Sequence, residues 1–337
     1  MPAKTKKTIS SYSILLYLLF AVLVLVICPL IGSEPLDIKL IVRDLLGKNI
    51  SQIDTDIFVN QRLPRVLLAF LTGAVLAVAG STFQVILRNP LATPYTLGVT
   101  GGASVGAYLA IAFPVLNVSV GKFSSVQLMA IAGAGVIGLI IYAASRKKSG
   151  LSMHTMLLAG VTIGIMCGAF IMLIRYLTNP NLLIALDRWT MGRLDTIGYD
   201  WFYSVLPLAA AGLLMVAFHV RSLNHISLGE EMALGHGVDV SSVQKYCFIG
   251  ASIATAAVVS TVGPIGFVGL IVPHMVRYFS GYDNRPVMIG CVCLGGAFLV
   301  ICDAMARTII SPAEIPVGVI TALIGGPCFI YLLIKRK

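Results

Sequence analysis

Charged residues are what this sequence has least of. Of its 337 residues only 11% are Asp, Glu, Lys or Arg, while 58% are hydrophobic and the mean hydropathy is +0.93. Soluble domains carry about 25% charged residues, so a water-soluble fold is excluded and an integral membrane protein is expected. Catalytic motifs are missing as well. No G-x-x-x-x-G-K-[ST] occurs, because Gly47-Lys48 and Gly121-Lys122 lack the upstream glycine, which excludes ATP hydrolysis through a P-loop. There is no H-E-x-x-H or G-x-S-x-G, and the five histidines (His154, His219, His225, His236, His274) are scattered. None of the seven cysteines (Cys28, Cys167, Cys247, Cys291, Cys293, Cys302, Cys328) forms a C-x-x-C, so they read as small packing residues and no metal site is expected. Carboxylates are nearly absent from the apolar stretches, with Asp303 near a helix end the main exception. An ion-coupled carrier needs a buried carboxylate or comparable relay near mid-membrane. Uphill transport by this chain would therefore draw its energy from a partner.

What is present is a series of ten apolar runs, near 12–31, 63–87, 95–113, 124–144, 152–174, 201–220, 246–262, 264–276, 287–306 and 317–334. In lipid every backbone polar group must be satisfied within the protein, so all ten are expected as helices of one polytopic domain covering 1–337. Tyr12 to Ile31, uncharged and preceded by Lys4, Lys6 and Lys7, reads as a retained first span. With the first residues (about 1–11) in the cytoplasm, alternation assigns fourteen of the 24 basic residues and four acidic ones to the inner side. The remaining ten basic and ten acidic residues cancel on the outer side. The whole net charge of +10 then lies inside, as the positive-inside rule expects, and both termini are cytoplasmic. The short basic clusters are explained without nucleic acid. The outer loop 32–61 contains an amphipathic piece, Ile38 to Leu46, expected as a short surface helix ended by Gly47. Trp189 and Trp201, in and beside the outer segment Leu177 to Asp200, are expected at the membrane interface. The glycines inside spans (Gly73, Gly80, Gly102, Gly106, Gly133, Gly135, Gly138) read as points of close helix approach.

Two places break the helical pattern. One runs through Asn89, Pro90, Pro94 and Gly98, the other through Gly263, Pro264, Gly266, Gly269 and Pro273, and each is followed by a short apolar segment. Interruptions at matching places in two halves point to a duplication, helices 2–5 against an inverted 7–10, and mark a translocation path. A third feature is the polar stretch Ser227-Leu228-Gly229-Glu230-Glu231-Met232-Ala233-Leu234-Gly235-His236-Gly237, within 221–243. Adjacent carboxylates and closely spaced glycines place it outside the hydrocarbon. Solvated charges on a turn would account for Glu230 and Glu231 alone.

Several segments together resemble the permease subunits of ferric-siderophore and vitamin B12 ABC importers. They are Arg62-Leu63-Pro64-Arg65, Asn89-Pro90-Leu91-Ala92-x-Pro94-x-x-Leu97-Gly98-Val99, Gly263 to His274, Asp303-x-x-Ala306-Arg307 and Pro316-Val317-Gly318-Val319-x-Thr321-Ala322-Leu323-Ile324-Gly325. The match runs in register from about residue 55 to the C-terminus. The resemblance implies the ten-helix type II importer permease fold, in a bacterial cell membrane. It also implies a second permease (identical or paralogous), two cytoplasmic ATPases that use ATP and Mg, and an extracytoplasmic substrate-binding protein. The permease itself would hold no cofactor and perform no catalysis. Residues Ser227 to Gly237 would be the coupling segment that seats in an ATPase cleft; Glu231-x-Ala233-x-x-x-Gly237 echoes the broader importer motif, with Met232 in place of an alanine. Arg62, Arg65 and Arg307 match the positions that receive carboxylates from the binding protein. Their plain alternative is interfacial anchoring, and Arg307 could instead pair with Asp303 one turn earlier. The cargo expected is a ferric siderophore, with cobalamin or haem as alternatives. The competing class is an ion-coupled carrier, and a membrane enzyme comes third.

Overall fold

Backbone that cannot reach water closes its hydrogen bonds within the nearest helix, and the apolar runs do so outside the two breaks. The computed structural model describes residues 3–32, 34–44, 52–116, 119–147 and 150–335. The main helices are α1 (Ala3–Ile27), α2 (Ile38–Arg43), α3 (Gln52–Asp56), α4 (Leu63–Ile86), α5 (Val99–Ala112), α6 (Ser125–Ser145), α7 (Met153–Leu177) and α8 (Pro180–Thr190). They continue with α9 (Asp200–Phe218), α10 (Val220–Leu228), α11 (Glu230–Gly235), α12 (Val240–Val262), α13 (Val268–Ser280), α14 (Asn284–Thr308) and α15 (Val317–Lys335). Paired extended backbone among the described residues is limited to a two-residue hairpin, Arg146–Lys147 against Gly150–Leu151, and a single bridge between Val120 and Phe123.

Seven described helices are long and apolar enough to cross a membrane: α1, α4 with its leading turns, α6, α7, α9, α12 and α14. The other three expected spans are α5, α13 and α15, the first two only 14 and 13 residues long. Helix α5 follows the first Pro/Gly break, and α13 begins within the second, taking in Gly269 and Pro273. The two halves match in order: α4 with 24 residues, a break and α5, against α12 with 23 residues, a break and α13. Helix α2 occupies part of the amphipathic piece, while Gly47 lies outside the described residues.

Small residues bring the helices together. A β-carbon built on Gly73 would lie 2.1 Å from the carbonyl oxygen of Gly295, and one on Gly80 would lie 2.0 Å from that of Gly269. Helix α4 thus presses its backbone on α14 with one glycine and on α13 with the next. Gly106 meets the Met129 carbonyl in the same way, joining α5 to α6. Gly135 and Gly138 differ from that expectation, since a β-carbon on either would meet nothing within 4 Å. The tryptophans also differ. Trp189 and Trp201 are both buried in the protein, not spread at an interface. Trp189 packs where the second break passes, its carbonyl against Gly263.

Candidate functional site

Polar chemistry collects at the two ends of the helix stack. At one end, α9 passes into α10 and α11, two short helices set at an elbow. Gly229 separates them at φ 141°, ψ 146°, a conformation that costs other residues a steric clash, and Gly237 leaves α11 at φ 74°. Ser227 and Leu228 close α10, and Glu230 to Gly235 form α11. Ala233 is fully buried on the chain, whereas Leu228, Met232 and Leu234 are 66%, 53% and 61% exposed. Glu230 accepts a hydrogen bond from Gln244 Nε2 at 3.1 Å, which ties α11 to α12, while Glu231 and His236 face outward. Asp239 caps α12 through Ser242. Hydrogen bonds from the Ser242 hydroxyl and then its backbone hold the Asp239 carboxyl below the ordinary range. Arg88, at the exit of α4, reaches the Ile226 carbonyl at 3.4 Å.

At the opposite end two of the three arginines, Arg65 and Arg307, meet one carboxylate. Asp303, fully buried on α14, lies 2.9 Å from Arg65 on α4. Arg307 Nε stands 3.1 Å from the other Asp303 oxygen, close enough for attraction although not aligned as a hydrogen bond. Arg65 also pairs with Glu314 at 2.8 Å, just past α14. Arg62 and Arg307 are only 6% and 4% exposed, and their donors go to main-chain carbonyls. Arg62 donates to Leu30 and Glu34, and Arg307 donates to Ile31 and Cys28. They staple the turn after α1 to the bundle. Of the three, Arg65 reaches a cleft of about 220 Å³, which it lines with Arg188, Arg193, Asp195 and Glu314. Sequence reasoning passed over Arg188 and Arg193. Their signal was two basic residues in an outer segment otherwise assigned to anchoring.

The breaks lie at opposite ends too. Asn89 and Pro90 begin an Asx turn, in which Asn89 accepts from the Leu91 N–H at 2.9 Å; Pro94 is buried, and Gly98 starts α5 at φ 70°. Gly263 turns at φ 74°, and a β-carbon there would lie 2.2 Å from the Trp189 carbonyl. Pro264 follows it, and a β-carbon on Gly266 would meet open space. Pro273 sits inside α13 and cannot donate to the carbonyl four residues back, which is that of Gly269. The buried Gln84 of α4 donates to that oxygen at 3.1 Å, and its own carbonyl accepts from Arg277. The freed backbone group is satisfied by a neighbouring helix, which is how a broken helix survives in lipid.

This arrangement has known counterparts. The FecCD transport family matches residues 18–335, nearly the whole chain. The chain belongs to that family. Among FecCD relatives, the hemin transport system permease protein HmuU of Yersinia pestis is 35% identical over 322 residues, covering 94% of this chain and 95% of its own. The vitamin B12 import system permease protein BtuC of Vibrio vulnificus is 37% identical over 289 residues, covering 85% of each. A solved metal-chelate type ABC transporter in an inward-facing conformation superposes with TM-score 0.82 at 28% identity, covering 96% of this chain and 98% of that one. The chain is therefore a multi-span membrane protein of a FecCD-type ABC importer, with the permease fold.

Proposed function

We propose that the chain is the membrane path of an ATP-driven importer that carries a ferric siderophore into the cytoplasm. It would pair with a second permease and receive cargo from an extracytoplasmic binding protein. Two separate ATPase subunits, using ATP and Mg, would drive it. The observation that carries the reading is the elbow: α10 and α11 present three large apolar side chains to the exterior around a buried alanine. Exposed Leu and Met on a polar helix pair outside the span fit a partner's cleft better than they fit water. The excess of Lys and Arg on the elbow's side supports placing that end, and both termini, in the cytoplasm.

At the opposite end, Arg65 is the arginine best placed to receive a binding-protein carboxylate. Glu314 holds the place an incoming glutamate would take, and Arg188 and Arg193 add positive charge to the same cleft. Arg62 and Arg307 would act beneath the surface by keeping that cleft in shape. The Pro/Gly breaks would line the path.

A haem cargo is the second reading, favoured by the 35% identity to the hemin permease over almost the full length. The test is accumulation of labelled ferric siderophores, haem and cobalamin in a strain lacking this chain and complemented with it. Uptake of one chelate that disappears with the ATPase supports the proposal. Uptake that persists without the ATPase would point to an ion-coupled carrier.

A further inference from the structure

Helix α14 touches both polar ends, as α4 does through Arg65 and Arg88. Its first turn is buried against α10, and its last turn holds Asp303 and Arg307. Asn284 to Asp303 spans about 28 Å at 1.5 Å per residue. The hydrogen bonds of the join at the α10 end converge on one α10 side chain. Asn224 Oδ1, on α10, accepts from the Asn284 backbone N–H at 2.7 Å and from Asn284 Nδ2 at 2.9 Å. Asn224 Nδ2 donates to Asp283 Oδ1 at 2.8 Å, and that same oxygen caps the Arg285 N–H at 3.0 Å.

The first N–H groups of a helix have no partner within it. Here one of them is satisfied from another helix, so α14 cannot leave α10 without exposing an orphan donor beside the buried Asn284. Along its length α14 is pressed on α4 through Gly73 and Gly295, too tightly for sliding without side-chain rearrangement. At its far end it is fixed by the Arg65–Asp303 pair.

We propose that Asn224 is the positioning residue that locks the elbow to α14, and that α14 carries elbow displacement to the Asp303 array. This rests on the elbow being the ATPase seat. The contact is short-range and directional, so a rigid-body movement of α10–α11 is transmitted and not absorbed.

The test uses the whole transporter with its own ATPase subunits in proteoliposomes. The probe is maleimide modification of Ile310→Cys, an exposed position just past α14. Rates are compared without nucleotide and after trapping with ATP and vanadate. In the parent the rate should change on trapping by roughly 5-fold or more, the lower end of ordinary coupling between sites. Asn224→Asp sets two carboxylates against each other and should bring the change within about twofold, while the ATPases still co-purify and hydrolyse ATP. Asn224→Asp with Asp283→Asn restores one donor between two acceptors and should recover the change, which a merely destabilising substitution would not do. If Asn224→Asp is too unstable to purify, Asn224→Ala should give the same loss without added charge. A full nucleotide-dependent change in Asn224→Asp or Asn224→Ala, or a double variant that recovers nothing, overturns the lock. A parent that shows no change on trapping overturns the lock and the ATPase-seat reading together.

Discussion

The two ends of α14 solve opposite problems with similar residues. At the Asp303 end, Arg62, Arg65 and Arg307 turn inward, and Arg62, Arg307 and Asp303 are withdrawn from water, leaving only Arg65 and Glu314 of that array at the cleft. At the elbow the carboxylates Glu231 and Asp239 stay exposed, and Leu228, Met232 and Leu234 stand exposed with them. One end is satisfied within the chain; the other is left to be covered. Buried charge holds its own protein together because removing one partner strands the other. Exposed apolar side chains leave the fold nearly indifferent to their replacement, so their presence speaks of a contact elsewhere.

That contrast can be broken most severely at Asp303. Asp303→Ala leaves Arg65 and Arg307 without their shared carboxylate and should lower stability by about 3–5 kcal/mol, the range for breaking a buried pair. Thermal unfolding in detergent reads this directly, and an unchanged midpoint would show that Glu314 and the main-chain carbonyls hold the arginines without it. Next in size is the seam between the ends. Gly80→Val places a side chain where even a β-carbon would lie 2.0 Å from the Gly269 carbonyl, and should cost about 1–3 kcal/mol through overpacking. Gly135→Ala, which meets open space, is the matched control and should leave the midpoint within a fraction of that.

The smallest effect belongs to Asp239. Its carboxyl is held below its ordinary value by the folded-state hydrogen bonds from Ser242. Its capping is thus fully present above the unfolded-state value and fades as pH falls through the lower, folded one. Hydrogen exchange at the Ser242 and Val243 amides should speed up only at the acidic end of the range, and Asp239→Ala should remove that pH dependence. Exchange with the same pH profile in both proteins would mean that the cap contributes nothing.

The contrast also marks how far the sequence could be read. Apolar length and the Pro/Gly breaks gave the ten helices and the short ones among them, because lipid imposes both rules locally. The polar elbow was legible for the same reason. Its contact surface was not. Glu231-x-Ala233-x-x-x-Gly237 drew attention to Ala233, whereas the folded elbow buries Ala233 and turns Met232 and Leu234 outward. The face of a six-residue helix depends on what it packs against, and that lies in α12. The arginines teach the same lesson at longer range. Arg65 finds Asp303 238 positions away, a pairing that no local spacing announces. Only the Arg307–Asp303 pair, one helical turn apart, could be anticipated from spacing. Trp189 and Trp201 followed an interfacial habit of their residue type that packing overrode, for Trp189 at the second break and for Trp201 within α9's buried face.

The claim on which the rest depends is that the elbow seats an ATPase subunit, and Leu234→Glu tests it most directly. Leu234 is 61% exposed, so the purified permease should unfold close to the parent temperature. The account predicts that the ATPase subunits no longer co-purify with Leu234→Glu and that uptake is lost, while Arg285→Gln, at an exposed position on the same end outside the elbow, keeps both. Full recovery of the ATPases and of uptake with Leu234→Glu would contradict it.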